Sequence, residues 1–98
     1  MTDEIIKEET PEEKKLREGR ELVQREVIRC FAEVLGRDPS SIDPNDRLEV
    51  DLRINTTQVM RFTMLLEDAI GIKFNISDIR RHRTVSKVIK MVQKYYEA

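Results

Sequence analysis

The chain has 98 residues and a formal net charge of −1, with 39% hydrophobic and 38% charged residues but only three glycines and three prolines. This length allows one small domain, and it excludes a two-lobed enzyme with a catalytic cleft between the lobes. The few turn-forming residues disfavour a sandwich or barrel and favour helices. Because the sequence contains no Ser-His-Asp set, paired catalytic acids or glycine-rich phosphate loop, we predict that the chain is not an enzyme.

The single cysteine and the absence of long apolar runs indicate the compartment. Cys30 has no partner for an internal disulfide, which favours the reducing cytoplasm. No apolar run approaches the ~18 residues of a membrane span, and residues 1–7 lack the apolar core of a signal peptide. We therefore predict a cytoplasmic protein without a membrane span. Because Cys30 falls on the apolar stripe of the first predicted helix, we expect its thiol to be buried and inert.

The first predicted helix begins with a capping pattern. Thr10 can cap the exposed backbone N–H groups, Pro11 suits the first helical position, and Glu13 completes a capping box. Apolar residues then recur at three- and four-residue steps until Gly36, which supplies a left-handed stop. We expect the charged first turns to project beyond the core, and Gly19 is a place where the helix could break.

A long loop is predicted at residues 37–55, where two prolines accompany Asp-Pro and Asn-Asp turn signals. Apolar residues are spaced through this loop as anchors: Ile42, Leu48, Val50, Leu52 and Ile54. Structureless loops of this length are uncommon in compact domains unless they are functional. We therefore expect the loop to pack against the helices.

Three further helices follow the loop. Asn55 can cap the second helix with Gln58 as its capping-box partner, Ser77 can cap a short helix at residues 78–81, and Thr84 can cap the last helix. The residues expected to be buried are Val59, Phe62, Met64, Leu65, Leu66 and Ile70 on the second helix and Val85, Val88, Ile89, Val92 and Tyr96 on the last, with Met60 and Met91 also filling gaps in the core.

Together these segments predict an all-α fold, a small four-helix bundle with a long loop between the first and second helices. The domain is expected to span residues 10–98. Residues 1–9 are charged and aperiodic, and we expect them to form a flexible arm.

The order of elements over residues 20–96 resembles the acyl carrier protein family. The matching pieces are Val34-Leu35-Gly36, Ile42 to Leu48, Asp51-Leu52, Leu66-Glu67-Asp68 with Gly71-Ile72, and Thr84-Val85. The resemblance implies a bundle of acyl-carrier-protein type that serves fatty-acid, polyketide or related lipid biosynthesis. It also implies a 4'-phosphopantetheine arm on the serine of an Asp-Leu-Gly-x-Asp-Ser-Leu loop, and it allows an acyl chain in the core.

The chain departs from the family pattern in this attachment loop, residues 51–57. Arg53, Asn55, Thr56 and Thr57 stand where the family has glycine, aspartate, serine and leucine. Thr56 keeps a hydroxyl at the cofactor-binding position, but its methyl makes that hydroxyl a hindered secondary alcohol. Asn55 lacks the carboxylate that could help to hold a metal on the coenzyme phosphates. We therefore predict that conventional phosphopantetheine is absent and that Thr56 is an ordinary first-turn residue.

The predicted docking surface differs from the family in charge. The resemblance implies an acidic second helix that is recognised by basic patches on partner enzymes, whereas the candidate docking residues here are Arg53, Asn55, Thr57, Gln58 and Arg61. Like charges facing each other at an interface can cost several kcal/mol. We therefore expect partners that are more acidic than is usual for the family, the alternative being a solvated helix face without a partner.

Basic residues are concentrated in the second half of the chain. Residues 53–98 contain nine basic and four acidic residues, a charge of +5, which leaves −6 for residues 1–52. Acids on the first helix could lie beside bases on the last, or the basic half could face a partner. The densest cluster, Arg80-Arg81-His82-Arg83, could contact phosphate groups of coenzyme A or nucleic acid, although no interleaved aromatic residues are present to read bases. His82 has no Cys or His at ligand spacing, so we predict no metal site and a solvated side chain.

The sequence therefore predicts an acyl carrier protein-like domain that docks to enzymes of lipid biosynthesis without conventional phosphopantetheinylation. Two alternatives stay open. One is an interaction or regulatory module that retains only the carrier scaffold, and the other is anion or nucleic-acid binding through the basic C-terminal half.

Overall fold

The computed structural model describes residues 8–98, which form helices and no β-strand. The helices are α1 (Pro11–Leu35), α2 (Thr56–Ile70), α3 (Ile76–Arg81) and α4 (Val85–Glu97), with a single 3-10 turn at Pro39–Ser41. Helix α1 packs against both α2 and α4, and α2 also packs against α3. The predicted all-α bundle with a long loop after its first helix is confirmed. Of the predicted arm, residues 1–7 lie outside the described residues, and no helix within residues 8–98 is long and apolar enough to cross a membrane.

The core lies where α1 meets α2 and α4. Its largest fully buried side chains are Phe31, Phe62, Leu66, Ile79, Val23, Val27, Val85, Val88, Val92 and Cys30. The rings of Phe31 and Phe62 stack with centroids 3.9 Å apart and an interplanar angle of 10°, which joins α1 to α2. Cys30 is buried as predicted, and burial raises the pKa of its thiol to about 11, so the thiol stays protonated at neutral pH.

Two predicted capping boxes are present. Thr10 Oγ1 accepts from the Glu13 N–H at 3.1 Å, and the Thr10 N–H donates to Glu13 Oε1 at 2.9 Å. Asn55 Oδ1 accepts from the Gln58 N–H at 2.8 Å, and the Asn55 N–H donates to Gln58 Oε1 at 2.9 Å. Each box satisfies two backbone donors that the first helical turn leaves open. The start of α2 is therefore fixed at Thr56.

The predicted cap of the third helix is wrong, because Asn75 rather than Ser77 occupies that position. Asn75 Oδ1 accepts from the Ser77 N–H at 3.0 Å and from the Ser77 hydroxyl at 2.7 Å. Ser77 is thus a donor to the cap rather than the cap itself. As a result α3 begins at Ile76, two residues earlier than predicted.

Helix α1 is continuous through Gly19, so the break that the sequence allowed does not occur. Gly19 is half-buried, and a Cβ built on it would lie 3.0 Å from Tyr96 Cε2. The glycine therefore admits the ring of Tyr96, which the sequence placed in the core but which is 38% exposed. Residues 11–18 are all exposed, so the charged first turns extend past the core as expected.

Besides Tyr96, three further apolar residues that the sequence assigned to the interior are exposed. Val50, Met60 and Met64 have exposed fractions of 58%, 48% and 65%. On α2 the core-facing position is Thr63 rather than Met64, and the Thr63 hydroxyl donates to the Val59 carbonyl oxygen at 2.8 Å. That bond satisfies the buried hydroxyl, which removes most of the cost of placing a polar side chain in the core. The two methionines consequently face outward.

The ion pair between α1 and α4 has the opposite polarity to the one anticipated. Arg20 of α1 lies 2.8 Å from a carboxylate oxygen of Glu97 in α4. Arg17 and Arg29 pair with acids of α1 itself or of the residues just before it. Glu21, Glu26 and Glu33 are therefore paired within α1 itself, so the described ion pairs do not place acids of α1 beside bases of α4.

Candidate attachment and docking site

The loop before α2 is held by backbone hydrogen bonds. The Leu48 N–H donates to the Arg83 carbonyl at 2.9 Å, and the Ile54 N–H donates to the Leu48 carbonyl at 3.0 Å. An isolated antiparallel bridge also pairs Arg47 with Thr84. The loop anchors Ile42, Leu48 and Leu52 are buried and Ile54 is half-buried, in agreement with the prediction of a packed loop. The loop thus joins the start of α2 to the chain between α3 and α4.

Asp51, the first residue of the attachment loop, closes a turn with Arg47. Asp51 Oδ2 accepts from the Arg47 backbone N–H at 2.7 Å and from Arg47 Nε at 3.2 Å. The backbone hydrogen bond, and then the guanidinium, hold the pKa of this carboxyl below its usual range. Asp51 therefore has a structural role and is engaged within the loop.

Arg53 follows in the left-handed region, with φ of 54°. A side chain in this region clashes with the backbone, which is why glycine is favoured there. The family glycine that the resemblance places here therefore has a conformational reason. Arg53 keeps the turn at some cost and presents an exposed cation just ahead of α2.

Thr56 is the first residue of α2 and is exposed. Within residues 8–98 no hydrogen bond engages its hydroxyl, so that oxygen is accessible. The neighbouring Asn55 amide oxygen is occupied by the cap, as described above, and it offers no negative charge. The arrangement thus retains a reachable hydroxyl while lacking the primary alcohol and the carboxylate that the resemblance implies for attachment.

A cleft of about 670 Å³ opens beside Thr56. The residues that line it are Arg47, Leu48, Glu49, Val50, Ile54, Asn55, Thr56, Val59, Arg80, Arg81, His82 and Arg83. The structure therefore brings the predicted cofactor-binding position together with the predicted basic cluster. The sequence had treated these two sites separately, because the bridge that joins them connects distant parts of the chain.

His82 is half-buried, whereas the sequence predicted a solvated side chain. Its Nδ1 lies 2.7 Å from the Asp78 carbonyl oxygen, which can only accept, so the Nδ1 proton is held in this bond. Among residues 8–98 no three His, Cys, Asp or Glu side chains are grouped closely enough to hold a metal ion. His82 therefore fixes the end of α3 and the wall of the cleft.

The outward face of α2 contains only some of the predicted docking residues. Thr57, Met60, Arg61 and Met64 are exposed, and their helical spacing places them on one stripe, here called the α2 stripe. Gln58 is half-buried and, like Asn55, is engaged in the capping box. Met60 and Met64 were predicted to be buried, although their spacing from Thr57 places them on the same face of α2 as that exposed residue.

The chain is similar to known carrier proteins. The family described as phosphopantetheine attachment site matches residues 25–92. A meromycolate extension acyl carrier protein of Mycobacterium leprae is 31% identical over 80 residues, which are 78% of this chain and 70% of that protein. The protein of the same name in Mycolicibacterium smegmatis is 31% identical over 78 residues, 76% of this chain and 79% of that protein. An acyl carrier protein of Rickettsia massiliae is 29% identical over 72 residues, 74% of this chain and 84% of that protein.

Proposed function

The chain belongs to the acyl carrier protein family, and from that premise we propose that it is a carrier-type domain that docks to enzymes of fatty-acid or related lipid biosynthesis without conventional phosphopantetheinylation. The exposed α2 stripe supports the proposed docking to partner enzymes. Met60 and Met64 are 48% and 65% exposed, and Arg61 lies between them. Flexible methionines and arginine are residue types that interfaces favour.

The chemistry of Thr56 supports the absence of conventional modification. A secondary alcohol with a methyl on the same carbon is a more hindered nucleophile than serine and has fewer favourable rotamers. The adjacent Asn55 has no negative charge and its amide oxygen caps α2. The residues present therefore fit poorly to a transferase mechanism that attaches phosphopantetheine to a serine preceded by aspartate.

The charge beside the α2 stripe specifies the chemistry of the partner. Within residues 8–98 neither Arg53 nor Arg61 forms an ion pair, so both guanidinium groups are available to a carboxylate. The acidic residues of α2, Glu67 and Asp68, lie only towards the far end of the helix. A partner should therefore offer acidic side chains opposite the start of α2 and an apolar recess for the methionines.

A charge reversal tests this docking surface. The test uses the Thr56→Ser variant, so that the chain can be modified. The partner is a phosphopantetheinyl transferase that recognises acidic second helices through a basic patch. We expect Arg61→Glu to raise the modification rate about three- to tenfold at low ionic strength, with a smaller gain at high salt. Arg25→Glu, which makes the same charge change at an exposed position of α1, is the matched control and should change the rate little. Equal effects of the two reversals would exclude a specific role for the α2 stripe.

A second candidate is an interaction or regulatory module with no carrier role, and the same α2 stripe favours it because docking needs no prosthetic group. An acyl chain in the core loses the support that outward-facing Met60 and Met64 would have given it, although Met91 is buried. Nucleic-acid binding gains no support, since the cleft lining contains no aromatic residue other than His82. The cytoplasmic location stays a prediction.

A further inference from the structure

The cleft beside Thr56 has a composition that the docking surface does not explain. Four of its lining residues are arginines, and its apolar lining is formed by Leu48, Val50, Ile54 and Val59. Arg61 of the α2 stripe does not line it. The cleft is therefore a separate feature that combines a cationic rim with an apolar floor.

Two of the four guanidinium groups are free of ion pairs. Arg47 pairs with Asp51 at 3.2 Å and Arg81 with Asp78 at 3.7 Å. Arg80 and Arg83 form no ion pair within residues 8–98.

The net charge of the lining is positive. Glu49 is its one acidic residue among residues 8–98 and opposes the binding of anions, so the four arginines and Glu49 together give a formal charge of +3, before the Asp51 and Asp78 partners are counted. With those two partners the charge is +1, and the unpaired guanidinium groups of Arg80 and Arg83 account for the positive charge that is open to a ligand.

The backbone around these arginines is fixed, while their side chains can reach solvent. The Arg83 carbonyl accepts from the Leu48 N–H at 2.9 Å, and the Val85 N–H donates to the Asp46 carbonyl at 3.0 Å. At the end of α3, His82 Nδ1 is held by the Asp78 carbonyl. The two walls therefore keep their separation, which reduces the ordering cost when a ligand binds.

We propose that this cleft binds a phosphate ester with an apolar tail, non-covalently, with the phosphate held by Arg80 and Arg83 and the tail lying on Leu48, Ile54 and Val59. Guanidinium groups match phosphate oxygens with paired hydrogen bonds, so two unpaired arginines are suited to one phosphate. The apolar floor explains why a tail would add affinity over the bare anion. The proposal does not rest on docking through the α2 stripe or on the fate of Thr56.

Octyl phosphate, octanoate and inorganic phosphate, each below the concentration at which it aggregates, separate the contributions of head and tail. Isothermal titration should show octyl phosphate binding at least about tenfold more tightly than either of the others, since only it has both groups. Equal affinities for octyl phosphate and inorganic phosphate would overturn the role of the floor. Absence of octyl phosphate binding would overturn the proposal.

Variants of the cleft test which side chains bind the phosphate. Arg80→Gln combined with Arg83→Gln should weaken octyl phosphate binding about tenfold or more, whereas Arg25→Gln on α1 should leave it unchanged. Glu49→Gln removes the opposing charge and should tighten binding about two- to fivefold, a gain that loss of folding cannot produce. Thermal melting of each variant checks that the fold is retained. Unchanged affinity in the double variant, or weaker binding in Glu49→Gln, would show that the phosphate is not held in this cleft.

Discussion

Arg53 shows at the scale of one residue how this chain differs from its family. Within residues 8–98 it is the only non-glycine residue with positive φ. The turn needs that conformation because Asp51 closes it from one side and the cap of α2 begins two residues later. The resemblance placed a glycine at this position, and the structure supplies the reason for it. The sequence alone did not show that Arg53 adopts the left-handed conformation that favours glycine.

Arg53→Gly should therefore stabilise the fold. A left-handed conformation costs a non-glycine residue roughly 1–2 kcal/mol. Glycine also raises the conformational entropy of the unfolded chain, which lowers the free energy of unfolding by about 0.5–1 kcal/mol. We expect the free energy of unfolding, measured in urea, to rise by about 0.5–1 kcal/mol.

Arg61→Gly is the matched control, since it removes an exposed arginine of the same charge from the middle of α2. There glycine should destabilise the fold by about 1 kcal/mol. A loss of stability in Arg53→Gly comparable to that in Arg61→Gly would contradict the conformational account of the turn.

The sequence correctly predicted three helix caps, Thr10, Asn55 and Thr84. Each of these caps depends only on contacts within four residues. The start of α3 could not be settled in this way. Asn75 and Ser77 are both good caps two residues apart, and the hydrogen bond from Ser77 to Asn75 decides between them.

The exposed face of α2 was also mispredicted, because hydrophobicity assigned its methionines to the core. The stack of Phe31 on Phe62 determines which stripe of the helix faces α1. Met60 and Met64 lie outside that stripe and are exposed. Local sequence signals therefore located the helix, while a contact between two helices decided its orientation.

Gly19 of α1 offers a test of an element. Alanine is favoured over glycine in a helix interior by roughly 1 kcal/mol, but the new Cβ would lie 3.0 Å from the ring of Tyr96. Tyr96 is partly exposed in the last turns of α4, so its ring can tilt away. We expect Gly19→Ala to stabilise the fold by about 0.5 kcal/mol alone and by about 1 kcal/mol in a Tyr96→Ala background.

Gly36→Ala is the control for this comparison. Gly36 has φ of 66° at the end of α1 and open space around it, so the same substitution acts there through the backbone alone. It should destabilise the fold by about 1 kcal/mol. If Gly19→Ala also destabilised the Tyr96→Ala protein, the view of Gly19 as a position kept small only for Tyr96 would be wrong.

At the scale of the whole molecule, the sequence predicted the order of elements but not the neighbourhood of the attachment position. The bond from Leu48 to Arg83 and the bridge from Arg47 to Thr84 connect residues far apart in the chain. Such pairings depend on how the loop packs, which spacing and composition do not specify. They place Thr56 at the edge of a cleft lined with arginines.

The mass of the chain after incubation with coenzyme A and a broad-specificity phosphopantetheinyl transferase tests the central claim most directly. We expect no mass gain for the native chain and a gain of one phosphopantetheine group for Thr56→Ser, because the serine restores an unhindered primary alcohol at an accessible position. Thr57→Ser, which changes the neighbouring hydroxyl, is the matched control and should remain unmodified. Modification of the native chain at Thr56, at a rate similar to that of Thr56→Ser, would contradict the account and identify a conventional carrier.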